Sequence, residues 1–117
     1  MVFDFERFSN IAAAVFPNGP YTLDDALMVF RYYFQKYEEH TGHPHPPIKA
    51  SQIVRIVQDM PWICEDDKGA YSADVSVDSY YAMIDKHFIT KYKRCDYNIN
   101  HFFSGRIREL RFYESCY

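Results

Sequence analysis

No stretch of this 117-residue chain approaches the length of a membrane span; even Ile11 to Phe16 is only a short apolar run. The start, Met1 to Arg7, carries acids where a secretory leader has a basic region, and no apolar core follows, so no leader is expected. Cysteine is sparse. Cys64, Cys95 and Cys116 are odd in number, scattered, and form no CxxC pair. A reduced cytoplasmic setting is the simplest account of them. Also missing are a P-loop, a GxSxG elbow and an HExxH helix. Nucleophilic catalysis needs a nucleophile, a base and an orienting group, and no local pattern places the cysteines with His87 or His101. The expectation is no catalytic residue, no cofactor and no enzymatic activity.

Metal binding is the other chemistry to weigh. His40, His43 and His45 lie close in sequence, and imidazole is a common zinc ligand. Structural zinc wants four ligands, yet no cysteine pair or carboxylate stands beside these at ligand spacing. Pro44, Pro46 and Pro47 hold the backbone extended, which sends the His43 and His45 rings to different sides. A solvated linker is the expected role of this stretch, and no metal site is expected.

What the chain has in abundance is aromatic surface: 19% of residues, with eleven Tyr and ten Phe. Apolar residues at 48% and charged residues at 25% describe a globular chain, and the length suits one domain spanning 1–117. A bulky aromatic core with Tyr at its margin is the plain reading.

The hydrophobic period is helical almost throughout. Phe5, Phe8, Ala12 and Val15/Phe16 mark a first helix, stopped by Pro17-Asn18-Gly19-Pro20. Thr22 is a good N-cap, and Asp24 and Asp25 suit the first turn of a second helix reaching about His40. Its stripe is Leu23, Ala26/Leu27, Phe30, Phe34 and Tyr37, widened by Met28, Val29, Tyr32 and Tyr33. After the Gly42–Pro47 connector, Ile53, Ile56, Val57 and Met60 define a third helix, limited by Pro61. Over 62–72 a small β-hairpin and an irregular loop compete. Ser76 caps a fourth helix with Val77, Tyr80/Tyr81, Ile84, His87/Phe88 and Tyr92 on its stripe. In a fifth, Phe103, Ile107, Leu110 and Tyr113 share a face.

The second half echoes the first at an offset of 54. Thr22-Leu23-Asp24 matches Ser76-Val77-Asp78, Phe30 and Phe34 match Ile84 and Phe88, and Ile53 and Ile56 match Ile107 and Leu110. The expected fold is all-α: a compact five-helix bundle of two helix-connector-helix units, 22–60 and 76–114, with the N-terminal helix covering an open end.

Charge is unevenly divided. Residues 1–83 carry a net charge of −6 and residues 84–117 one of +3. In the basic third, Lys91, Lys93, Arg94, Tyr97, Arg106, Arg108 and Arg111 are the candidate partner-binding residues. Arg108 and Arg111, three apart, share a helix face away from the Ile107/Leu110 stripe. Arg, Tyr and Phe are enriched at protein–protein hot spots, so another protein is the first-choice partner. Nucleic acid is the alternative: the fourth and fifth helices read as a helix-turn-helix, with arginines on phosphates and aromatics stacked on bases. The sequence pI near 5.9 weighs against it. An aromatic-rich small domain also suits a homo-oligomer, although nothing fixes a symmetry.

The segment Asp96-Tyr97-Asn98-Ile99-Asn100-His101-Phe102-Phe103-Ser104-Gly105-Arg106-Ile107-Arg108-Glu109-Leu110-Arg111-Phe112-Tyr113-Glu114 resembles the C-terminal end of small uncharacterised proteins carried by plasmids and integrative elements of Gram-positive bacteria. The resemblance implies an accessory or regulatory role on a mobile element, inhibitors included. It assigns no functional residue.

Overall fold

The computed structural model describes residues 3–17, 22–60, 63–65, 72–74, 77–91 and 96–116. The chain is mainly helical. Among the described residues the order is α1 (Phe5–Val15), α2 (Leu23–Thr41), α3 (Ala50–Asp59), β1 (Ile63–Glu65), β2 (Ser72–Asp74), α4 (Val77–Ile89), α5 (Ile99–Phe102) and α6 (Gly105–Cys116).

Local chemistry sets the ends of the first three helices. The Asp4 carboxylate accepts from the Arg7 backbone N–H at 2.9 Å and opens α1. Phe16, which precedes Pro17, is already extended and closes it. Thr22 Oγ1 accepts from Asp25 N–H at 3.1 Å to start α2. Gly42 ends α2 in the left-handed region at φ +80°, donating its N–H to Glu38 O at 2.8 Å. Gln52 Oε1 accepts from Lys49 N–H at the start of α3.

Between α3 and α4, β1 and β2 pair antiparallel with Cys64 opposite Ala73. The residues joining them lie outside those described. So do Tyr92 and Ser76, the expected cap of α4.

The expected fifth helix is two. Phe103 leaves helical geometry (φ −84°, ψ 6°), Ser104 Oγ turns back to His101 O, and Arg108 N–H takes Ser104 O as α6 begins. Ser-Gly is a poor helix interior and a good boundary, which accounts for the break.

Helix α2 is the central element. It buries Ala26, Val29, Phe30, Tyr33, Phe34 and Tyr37, every third or fourth residue, against α1 on one flank and α4 on another. Met28, expected to widen this stripe, is instead 52% exposed, because it lies on the side facing solvent. Aromatic rings fill the interior: Phe8 meets Phe30 and Phe34 at centroid distances of 5.0 and 5.3 Å, and Tyr33 meets Phe88 and Phe102 at 5.0 and 5.4 Å. At about 0.5–1.5 kcal/mol per pair beyond burial, such contacts give the high Phe and Tyr content a structural use. At the open edge of α2 and α4, Tyr32 OH donates to Asp85 Oδ1 at 2.5 Å, and burial with that carboxylate pushes the phenol up to about 12. Helix α3 lies mainly along α1, whereas α4 lies along α6. The two sequence halves thus begin with helices that pack on each other but continue with helices that dock differently.

Candidate functional site

The connector between α2 and α3 forms one wall of a half-open groove. The prolines deny residues 44–47 a helical path, so the chain runs extended past α1. Phe3, Asp4 and Arg7 form the opposite wall, and His43 to Lys49 line the rest. The groove has a volume of about 640 Å³ and a mostly apolar lining. Arg7 Nη1 donates to Ile48 O at 2.9 Å and ties the walls together.

The connector is not the solvated linker expected from its composition. His45 and Ile48 are buried, and the His45 ring lies on the aromatic face of α2 against Phe34 and Tyr37. His43 stays exposed, with its ring on Tyr37. His45 is 3% exposed and is ringed by Phe3, Phe34 and Tyr37 at centroid distances of 5.7, 5.2 and 4.6 Å. Its Nε2 accepts the Ile99 N–H at 3.0 Å, and Nδ1 faces Pro46 O at 2.8 Å. Only the neutral ring with its proton on Nδ1 satisfies both contacts. Burial holds this imidazole below its ordinary value, against the pull of the Pro46 carbonyl and Asp96. Among the described residues, no three His, Cys, Asp or Glu side chains are placed to hold a metal ion.

Among the described residues, the basic side chains singled out in the sequence do not share one exposed surface. Arg108 is 7% and Arg111 4% exposed, so the face they share is turned inward. Arg108 Nη1 donates to Asp59 O at 2.6 Å and lies 3.4 Å from Tyr80 OH, which itself donates to Met60 O at 2.7 Å. The two side chains thereby satisfy carbonyls at the C-terminal end of α3, where the helix dipole favours a cation. Burial pushes the Tyr80 phenol up to about 12, and it acts here as a donor. Arg111 Nη1 reaches Thr90 Oγ1 at 3.0 Å and Glu114 Oε2 at 3.1 Å, and Lys86 Nζ lies 3.9 Å from the same carboxylate. Conversely Leu110, expected on the core stripe, is 39% exposed.

Of the remaining candidates, Lys91 is exposed just beyond α4. Tyr97 is half-buried and left-handed at φ 59°. Its OH donates to Thr90 O at 2.8 Å, its carbonyl accepts from Tyr33 OH at 2.7 Å, and its ring stacks on Phe88. These contacts offset the roughly 1–2 kcal/mol that a non-glycine residue gives up in that conformation. Phe102 and Phe103 are buried and present no ring to a partner. Lys93 and Arg94, and the side chain of Arg106, lie outside what is described.

The groove residues Phe3, Arg7, Pro44, Pro46, Pro47 and Lys49 carried no recognisable motif. Their one sequence signal was the proline density of the connector, which marks an extended path but not what packs beside it. The chain matches no protein-family model, no curated protein and no solved structure. No helix among the described residues is long and apolar enough to cross a membrane.

Proposed function

We propose that this protein is a non-enzymatic, protein-binding accessory or regulatory module whose partner docks in the groove between the N-terminal segment and the 43–49 connector. The observation that carries this reading is the groove itself: a cavity of about 640 Å³ lined by Phe3, Pro44, Pro46 and Pro47 together with the charged Asp4, Arg7 and Lys49. Apolar surface beside charged groups is what a protein–protein contact uses. An accessory role also agrees with the resemblance of residues 96–114 to mobile-element proteins. The nucleic-acid alternative loses its central pair, because Arg108 and Arg111 are engaged inside the fold.

The test is a groove variant, Pro47→Asp with Lys49→Glu, both at exposed positions. Wild type should bind a purified partner first captured from native lysate. The variant should melt like wild type and bind that partner at least about tenfold more weakly, equivalent to ~1.4 kcal/mol. Unchanged binding would move the interface elsewhere. Retention of DNA or RNA that fades steeply with salt would instead support the alternative.

A further inference from the structure

We propose that His45 is a protonation latch: the neutral ring clasps the connector to the start of α5, and a proton on Nε2 releases it. Ile99 is the first residue of α5, and its N–H has no carbonyl one turn back to accept it. The Asn98 side chain serves the next amide, Asn100 N–H, at 3.0 Å. The Ile99 donor is taken by His45 Nε2, 54 residues away in sequence, and the second ring nitrogen is occupied by Pro46 O. A second proton would set two N–H groups against each other across 3.0 Å, inside a cage of rings. The contact cannot survive protonation, so the strap and the α5 turn must part.

The groups around the ring are few. From α2 come Tyr33 and Tyr37, from the connector His43 and Lys49, from the first segment Asp4 and Arg7, and from the approach to α5 Asp96 and Tyr97. Asp96 is the carboxylate that favours the charged ring, but desolvation outweighs it. The sign follows. The unfolded chain protonates His45 near 6.5 and the folded chain only at lower pH, so the clasp is fully present above about 6.5 and weakens on acidification. His87, the other buried imidazole, is held down to about 3 by burial and by its neighbours His101 and Arg111. At mildly acidic pH it stays neutral in the fold.

Amide hydrogen exchange at about pH 7.5 and about pH 5, corrected for intrinsic exchange, tests the latch. Protection at Ile99 and in the 45–49 strap should fall roughly tenfold or more at the lower pH. His45→Gln places a non-titrating acceptor where Nε2 lies and should remove the pH dependence. His43→Gln, at the exposed neighbour, should retain it. Equal protection of Ile99 and the strap at both pH values, or the same pH dependence there in His45→Gln, would overturn the proposal. Nitrogen NMR of the wild-type imidazoles reads the ring directly, whatever the fate of the variant. A His45 signal protonated on Nε2 at neutral pH would also overturn it.

Discussion

Two helix pairings in this small fold are built from opposite chemistry. Where α1 meets α3, the buried residues are Phe8, Ala12, Ile53, Ile56 and Val57, and the charged Arg55 and Asp59 stay at the surface. Where α4 meets α6, the buried set includes Arg108, Arg111, His87 and Tyr80, and Leu110 is left partly in solvent. The first pairing needs only the exclusion of water. The second also needs each polar group matched, and it gains a link to a third element, because Arg108 and Tyr80 hold the end of α3. The polar pairing should therefore be the one that responds to pH and to conservative substitution.

Acid should show the largest contrast. His87 is fully buried among Tyr33, Phe88, Tyr97, His101 and Phe102. Its ring is neutral in the fold down to about pH 3, whereas the unfolded chain protonates it near 6.5. Below 6.5 the unfolded chain therefore binds more protons, and stability falls as pH falls through that window, by on the order of 3–5 kcal/mol at its lower end. Denaturant melts from pH 7 to pH 3.5 should show this decline, and His87→Phe should flatten it even if it lowers stability at pH 7. A decline of the same size in His87→Phe would place the acid sensitivity outside the α4–α6 pairing.

Next come two residues that the offset of 54 pairs in sequence. Ile56→Ala removes a fully buried side chain from the apolar pairing and should cost about 2–5 kcal/mol. Leu110→Ala, at the matched position, should cost no more than about 1 kcal/mol, because much of that side chain already meets water. Equal costs would mean that α6 turns its apolar edge inward after all. Arg108→Met keeps most of the volume and removes the bonds to Asp59 O and Tyr80; a loss of about 2–3 kcal/mol in the same melts is expected, since a helix end is left without its donor.

These comparisons also show what was legible in the sequence. The stripes on α1, α2 and α3 could be read directly, because Phe8, Phe30, Phe34, Ile53 and Ile56 recur at helical spacing and bury as that spacing demands. The inward face of α6 could not. Pattern reading places arginine in water, since an unpaired buried charge is costly, and the carbonyls that reward Arg108 lie 49 residues earlier in the chain. The groove was hidden for a related reason: its walls, residues 3–7 and 43–49, are distant in sequence and meet through the Arg7–Ile48 contact and the rings around His45. Proline density foretold an extended strap. Burial of His45 in it depended on the aromatic face of α2, which no local rule connects to it.

The smallest effect separates two ion pairs that look alike in sequence. On α3, Arg55 and Asp59 are four apart and 3.9 Å away from each other, both about half exposed. On α6, Arg111 and Glu114 are three apart and 3.1 Å away, but the arginine is 4% exposed. Asp59→Asn should change stability by less than about 0.5 kcal/mol, because solvent screens the pair and the Asp59 carbonyl keeps its bond to Arg108. Glu114→Gln keeps an oxygen for Arg111 but removes the charge that balances a buried guanidinium and a nearby Lys86, so about 1 kcal/mol is expected. Raising salt should shrink the Asp59→Asn effect towards zero and leave most of the Glu114→Gln effect standing. Two effects of equal size and equal salt dependence would mean that Arg111 reaches water freely, and the contrast between the pairings would then rest on His87 and Arg108 alone.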